Sequence, residues 1–370
     1  MTSQPETARS ERTARTARTA RTARTARTGD AVRTASAART VRAVRTALLC
    51  VLLGAPVLAG AAGCGGPSAA DGDGRKDTTR SRRAAPHPNG TGTVDLARRI
   101  TDYTDGITAD GSYRVPTERE RRAVADGVRA LLDGDRTAAG RRLGGVGYAV
   151  HDLVDSSGGT RYAEIADATR EGEVRRGWGR VYVDLRGPVR WQVQVPHPSA
   201  DQRTEQLGIG LLRGAPGGVL VLAGAHRAAD SGGGPDAADV AHRRDSVFAA
   251  VSDALADRRL PAVQVHGFAD SSLPDHDVVV SPGSGEAGLP SARSLAAAYR
   301  AQGMRVCEVW ERYCGRLEGR TNVEGEYAGE AGVPFVHVEH NRRIRDDDAL
   351  VAKAVRALAE VAGRWGTGRG

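Results

Sequence analysis

Short apolar runs alternate with helical patterns along the chain from residue 191 onward. The runs are typical of buried strands and occur at residues 191–195, 218–223, 262–265 and 335–338. Apolar residues recur at helical spacing at residues 202–212, 246–256, 291–302 and 348–362. This alternation produces parallel or mixed sheets covered by helices on both faces. The sequence therefore predicts an α/β fold with three layers, α/β/α, and a mixed, largely parallel sheet.

The part of the chain before residue 191 is expected to extend this fold. Strand-like runs occur at residues 146–150 and 181–185. Thr117 is followed three residues later by Glu120, which is a capping-box pattern, and apolar residues continue behind it at helical spacing. We expect this helix to pack on the outside of the domain.

Residues 1–46 form a low-complexity basic leader that contains repeated Arg-Thr-Ala triplets. The leader carries eleven arginines and three carboxylates, a surplus of +8 that equals the formal net charge of the whole chain. The rest of the chain is therefore neutral overall, and its charge does not favour nucleic-acid binding. We expect no nucleic-acid partner.

Residues 47–64 are predicted to be an export segment. An apolar run follows Arg45, and it is too short and too rich in Gly and Ala for a good transmembrane helix. Its ending, Ala62-Gly63-Cys64, resembles the lipobox of bacterial lipoproteins, which implies lipidation of Cys64 and a membrane anchor outside the cytoplasm. Ala59-Gly60-Ala61 would also serve an ordinary signal peptidase, so free secretion stays open. Residues 65–92 are predicted to form a disordered tether, and residues 93–370 the folded domain.

Two cysteines, Cys307 and Cys314, remain in the predicted domain. In an exported protein, two nearby cysteines most plausibly form one local disulfide. The alternative is a Cys/Cys metal pair, which lacks a second pair of ligands at suitable spacing.

Histidines are concentrated in the α/β part of the chain, where seven of the nine lie between His197 and His340. His197 and His266 lie at the ends of apolar strand runs, and Glu339 directly follows the last one. Ligands of α/β sheets bind at the carboxyl ends of strands, so these side chains are expected to meet. Catalytic zinc takes about three His, Asp or Glu ligands. The pattern predicts Zn²⁺ as cofactor, with His197 and His266 as ligands.

Two carboxylates compete for the third ligand position. Glu205 lies one turn into the predicted helix 202–212 and is the predicted ligand. Asp201 is expected to be the N-cap of that helix, which would orient its side chain toward its own backbone. Glu339 is the predicted general base. The alternative is that the histidines are core residues bonded to backbone carbonyl groups, with no site between them.

The order of these residues resembles the zinc carboxypeptidase superfamily, including succinylglutamate desuccinylase-like enzymes, N-formylglutamate amidohydrolases and poly-γ-glutamate hydrolases. The resemblance covers about residues 190–345 and implies a phosphorylase/hydrolase-like fold. It also implies zinc held by a His–carboxylate pair and a second His, with a late Glu that promotes attack of water on an amide. The family usually shows His-x-x-Glu, whereas here the carboxylate is Asp201 or Glu205, so that ligand stays open.

Further polar residues near the predicted zinc ligands and general base are candidate substrate-binding groups. Guanidinium and amide donors can clamp a substrate carboxylate, and the candidates are His226, Arg227, His242, Arg320 and Asn322. The glycine-rich loop at residues 231–234 has no Gly-Lys-Ser/Thr ending, which argues against a phosphate-binding loop.

The leading hypothesis is an exported, lipid-anchored zinc hydrolase of an amide bond. Its expected substrate is a small peptide, an amino-acid conjugate or a cell-wall fragment. The alternative is a non-catalytic lipoprotein that binds a ligand or a metal in the same cleft.

Overall fold

One ten-stranded sheet organises the computed structural model, which describes residues 92–234 and 236–367. The strand order across the sheet is β1-β2-β3-β4-β6-β5-β7-β10-β8-β9. The strands are β1 (Gly92–Val94), β2 (Tyr148–Asp155), β3 (Arg161–Asp167), β4 (Arg180–Asp184), β5 (Trp191–Val195), β6 (Gly218–Leu222), β7 (Ala262–Phe268), β8 (Val278–Ser281), β9 (Val306–Glu308) and β10 (Phe335–Asn341).

The centre of the sheet is parallel. Strand β5 pairs in parallel with β6 on one side and with β7 on the other, and β7 pairs in parallel with β10. Strands β4 and β8 join this centre in antiparallel orientation, which makes the sheet mixed. The next strand after β5 in the chain, β6, pairs with one edge of β5, and the following strand, β7, pairs with the other edge. Such a switch point opens a crevice beyond the carboxyl ends of the strands.

Helices cover both faces of the sheet. Helices α1, α5, α7 and α10 share one apolar cluster with the sheet, and α2, α3 and α6 share another on the opposite face. The helices are α1 (Leu96–Thr104), α2 (Glu118–Leu132), α3 (Arg136–Gly144), α4 (Arg170–Arg176), α5 (Thr204–Gly214), α6 (Val247–Asp257), α7 (Leu289–Ala301), α8 (Val323–Glu330), α9 (Arg342–Asp346) and α10 (Asp348–Gly366).

The structure confirms the three-layer α/β/α fold. Strand β5 has the predicted bounds, and the capping box of α2 is formed, because Thr117 and Glu120 exchange hydrogen bonds. The sequence prediction missed four strands, β1, β3, β8 and β9. Strand β8 is a short Val-rich run that pairs antiparallel with β10. It lies outside the alternation of apolar runs and helical patterns from which the central strands were predicted.

The predicted leader, the export segment with Cys64, and the tether up to residue 91 lie outside the described residues. Within the described residues, no helix is long and apolar enough to cross a membrane.

Candidate metal centre and active-site cavity

Strands β5, β7 and β10 bring the predicted site residues together. His197 follows the last residue of β5 by two positions, and His266 lies near the end of β7. Glu339 of β10 is the direct cross-strand neighbour of His266. Neighbouring residues in register project from the same face of a sheet. The two side chains therefore share the crevice beyond the switch point.

His197, Asp201 and His266 form a compact cluster of metal-ligand atoms. One ligand atom from each lies within 4.8 Å of the others. The Asp201 Oδ2 atom is 3.5 Å from His197 Nδ1 and 3.2 Å from His266 Nδ1. Both imidazoles thus direct Nδ1 toward the same carboxylate, which is a donor set that suits zinc.

The outer nitrogens of the two histidines are fixed by other side chains. His197 Nε2 lies 2.8 Å from Asp239 Oδ1, and His266 Nε2 lies 2.9 Å from Gln264 Oε1. His197 Nδ1 is buried and makes no hydrogen bond within the described residues. Metal-binding histidines characteristically bond the outer nitrogen to such an acceptor and leave the inner one for the ion. The cluster therefore fits a metal.

Burial and neighbouring charges set the pKa values in this cluster. Burial alone would lower the pKa of His197, but Asp201 and Asp239 outweigh it and raise that pKa to about 9. Burial lowers the pKa of His266. Burial opposes ionisation of Asp201 as well, yet the two histidines hold its pKa well below the ordinary value. An ionised carboxylate thus lies between two imidazoles, where it can complete a site for a cation.

The structure does not bring Glu205 to the histidines, which corrects its choice as third ligand. Its buried carboxylate accepts a hydrogen bond from Gln206 Nε2 at 3.1 Å, and burial raises its pKa. Helix α5 starts only at Thr204, after a tight turn in which the backbone φ angles of Gln202 and Arg203 are 49° and 62°.

The expectation that Asp201 caps helix α5 is also wrong. Arg203 is the N-cap residue, and no side chain makes a cap hydrogen bond there. Asp201 precedes the helix and is free of that role. Its Oδ2 atom instead accepts a hydrogen bond from the Gly267 amide at 3.2 Å, so the carboxylate is held against the end of β7.

The cluster opens into a cavity of about 590 Å³. Glu339 lines this cavity, and its Oε2 atom is buried with no hydrogen-bond partner within the described residues. The other predicted residues that line it are the substrate-binding candidates Arg227, His242, Arg320 and Asn322. His226 does not line it, which corrects that assignment. The ring accepts a hydrogen bond from the Ala228 amide and lines a neighbouring cavity instead.

Sequence reasoning missed three residues of the site. Asp239 and Gln264 orient the two histidines, and His337 lies with its ring centroid 4.7 Å from that of His266. His337 Nε2 is 3.5 Å from Glu339 Oε1. Residues two apart on a strand share a face, so His337 could have been predicted from its spacing to Glu339. Asp239 had none, because it is 42 positions from His197 in the chain.

Buried amide side chains form a hydrogen-bonded chain that leads to the cluster through Gln264. Gln194 Nε2 donates to Gln192 Oε1 at 2.8 Å, and Gln264 Nε2 donates to Gln194 Oε1 at 3.0 Å. Gln264 Nε2 also donates to Glu324 Oε2 at 3.0 Å. Burial raises the pKa of Glu324 to about 8, so this carboxyl is largely neutral at pH 7. Linked, satisfied amides fix the orientation of Gln264.

The Cys307–Cys314 disulfide is formed, as predicted. The segment that follows it, residues 315–322, lines the cavity. The Cys314 amide donates to Glu318 Oε1 at 3.0 Å, and Arg320 Nε donates to Glu318 Oε2 at 2.7 Å. The disulfide therefore anchors the segment that carries Arg320 and Asn322.

Comparisons with known proteins gave structural similarities only. No protein-family model matches the chain. No curated protein matches it either.

An N-formylglutamate amidohydrolase from Ralstonia eutropha is 14% identical over 48% of this chain and 93% of its own, with a TM-score of 0.34. A bacteriophage poly-γ-glutamate hydrolase is 12% identical over 50% and 89%, with a TM-score of 0.35. A metallo-carboxypeptidase from Burkholderia cenocepacia is 13% identical over 50% and 60%, with a TM-score of 0.33. All three TM-scores are below 0.5.

Proposed function

We propose that this protein is a zinc-dependent hydrolase of amide bonds, with His197, Asp201 and His266 as the metal ligands. The observation that carries the proposal is the inward Nδ1 geometry of the two histidines around Asp201. The outer nitrogens are already bonded to Asp239 and Gln264. A core histidine would not require this arrangement, whereas a metal ligand does.

Glu339 is the proposed general base. Zinc bound in such a site lowers the pKa of a water molecule and polarises a carbonyl group. Glu339 shares the cavity with the cluster, so its carboxylate can accept the proton of the attacking water and pass it to the leaving nitrogen. Its Oε2 atom has no hydrogen-bond partner among the described residues. That oxygen is available for this proton transfer.

Arg227, Arg320 and Asn322 are the proposed contacts for an anionic substrate. Arg227 is ion-paired with Asp239, and Arg320 with Glu318. These pairs hold the guanidinium groups at the cavity wall, and their other N–H groups can donate to a substrate carboxylate. A small peptide or an amino-acid conjugate carries both the amide and the carboxylate. The choice of an amide over another acyl bond rests on the sequence resemblance.

We also propose that the protein is exported and anchored to the membrane through lipid on Cys64. The Arg45-led apolar run and its Ala62-Gly63-Cys64 ending support this location. The mature protein should then begin at Cys64 and carry lipid. Mass analysis that finds an intact Ala47–Gly63 segment in the mature protein would exclude the anchor.

Metal content and turnover test the proposed reaction. Purified protein should contain one zinc per chain and hydrolyse members of a panel of N-acylated amino acids and short peptides, and a chelator should abolish turnover. His266→Ala should lose the metal. Glu339→Gln should keep metal and fold but lose turnover by a factor on the order of 10² or more. Glu360→Gln, an exposed carboxylate of α10, is the control and should behave as wild type.

Two outcomes would overturn the proposal. If both His197→Ala and His266→Ala keep full metal content and activity, the ligand assignment is wrong. If ligand binding survives chelation and no substrate of the panel is turned over, the protein is a binding lipoprotein rather than an enzyme.

A further inference from the structure

A second cavity, of about 450 Å³, lies beside the catalytic one. Helix α1, helix α4 and the segment after β6 line it. His226 lines this cavity, while the next residue, Arg227, lines the catalytic cavity. The segment after β6 therefore has one of these cavities on each side. The volume is within the range of about 300–1,000 Å³ that is usual for small-molecule sites.

The deep wall of this second cavity is polar and already paired. Arg180 is buried and makes a two-point ion pair with Glu173, at 2.6 and 2.8 Å, and a further contact with Glu164 at 3.2 Å. Buried ion pairs add little net stability compared with well-packed apolar residues. Tyr103 also lines the cavity, and its buried hydroxyl has no hydrogen-bond partner within the described residues.

The carboxylates that line the cavity are all engaged with cations. Glu173 pairs with Arg180, Asp102 lies 3.6 Å from Arg98, and Asp95 lies 3.2 Å from Arg213. Two more guanidinium groups line the cavity, and one of them, Arg99, is ion-paired with Glu164. Arg170 makes no ion pair or side-chain hydrogen bond in the described part of the chain, so the lining has an unbalanced positive charge.

An apolar surface lies next to this charge. Val174 is four residues after Arg170 on α4 and is 64% exposed, one of two large hydrophobic side chains that are exposed in the described residues. Residues four apart on a helix are neighbours on one face. Ile107, Ala225 and Ala229 continue the apolar lining inward. A carboxylate at Arg170 would thus place an attached apolar group against Val174 and the inner wall.

We propose that this cavity is a second binding site, for a small apolar molecule that carries one carboxylate. Arg170 binds the carboxylate, Val174 and Ile107 contact the apolar body, and the Tyr103 hydroxyl donates to a polar atom of the ligand. The site is separate from the catalytic cavity and does not depend on hydrolysis.

2-Hydroxy-4-methylpentanoate is the probe, since it has one carboxylate, a hydroxyl group and a branched apolar chain but no amide bond that the proposed enzyme could cleave. 4-Methylpentane-1,2-diol is the matched neutral control. Binding to the full-length protein is measured by calorimetry and by amide chemical shifts at Val174 and Ala229. The carboxylate probe should bind and the diol should bind much more weakly. Arg170→Ala should weaken binding by about fivefold to tenfold, as expected for loss of one charge-assisted contact at a rim.

Two variants separate this site from other positive surfaces. Arg175→Ala removes the same charge from the same helix but does not line the cavity, so it should bind as wild type. Arg320→Ala alters the catalytic cavity, and binding should survive it. The proposal is overturned if 2-hydroxy-4-methylpentanoate does not bind at millimolar concentration. It is equally overturned if binding is lost in Arg320→Ala and unchanged in Arg170→Ala, which would place the probe in the catalytic cavity.

Discussion

Asp201 and Glu205 offer a direct comparison between the structure and the sequence pattern. Both carboxylates lie on the same stretch of chain, Glu205 buried and Asp201 half-buried, but only Asp201 lies with the two histidines. We predict that Asp201→Asn loses zinc affinity while Glu205→Gln keeps it. Each substitution preserves the shape of the side chain and removes one charge. The pair therefore isolates the contribution of charge at each position.

The size of the loss follows from the ligand count. Loss of a residue that only orients a metal ligand costs about 10–100-fold in affinity. Asp201 supplies one of three ligand groups and the only carboxylate of the cluster, so a loss of at least about 100-fold is expected, or about 2.7 kcal/mol. Glu205 lies outside the cluster, and its substitution should change zinc affinity less than about threefold.

The same loss appears in thermal or chemical unfolding. At a zinc concentration of about 1,000 times the wild-type Kd, bound zinc raises the free energy of unfolding by about 4.1 kcal/mol. A hundredfold weaker site leaves about 1.4 kcal/mol at the same concentration. Competition with a chromogenic chelator gives the Kd independently, and circular dichroism checks that both variants fold.

The opposite result would refute this reasoning. If Glu205→Gln loses zinc and Asp201→Asn retains it, the sequence pattern was a better guide than the described geometry. If both variants bind zinc as wild type, the carboxylate ligand is elsewhere, and Glu339 becomes the first candidate to test.

Three further predictions follow from contacts around the site. Asp239→Asn should weaken zinc binding by about 10–100-fold, measured by chelator competition, because its carboxylate fixes the ring of His197. Replacing Cys307 and Cys314 with serine should lower the free energy of unfolding by about 2–3 kcal/mol. The same change should raise KM while the zinc content stays the same. An unchanged KM would show that the cavity segment is held in place without the disulfide. Glu324→Gln should match wild type in urea unfolding at pH 4 but be more stable at pH 9, by an amount on the order of a few kcal/mol.

The sign of the Glu324 effect comes from proton binding. Burial raises the pKa of this carboxyl from 4.5 to about 8. Between these values the folded protein keeps a proton that the unfolded chain releases, so stability falls as pH rises through that window. Glutamine mimics the protonated form and removes this dependence. If the free energy of unfolding depends on pH in the same way for both proteins, ionisation of Glu324 does not destabilise the fold.

The sequence predicted the parts of the fold that depend on periodicity. Strand β5 and helix α10 have strong apolar patterns, and the switch point at β5 explains why the strand-end residues His197 and His266 meet. The choice between Asp201 and Glu205 could not be made in this way. It depends on two left-handed backbone positions, Gln202 and Arg203, which delay the start of α5. Non-glycine residues rarely adopt that conformation, so no sequence rule signals it.

The polar residues inside the central strands hold a signal that the sequence prediction did not use. In β5, Gln192 and Gln194 alternate with valines, a pattern typical of a strand with one face in water. Strand β5 is buried on both faces, however, as expected for the centre of an α/β sheet. Buried amides are costly unless they are bonded, and here they are linked to one another and, through Gln264, to His266. A central strand is expected to be apolar on both faces. When the sequence of such a strand has one polar face, that face therefore indicates the side of the sheet that supports the site.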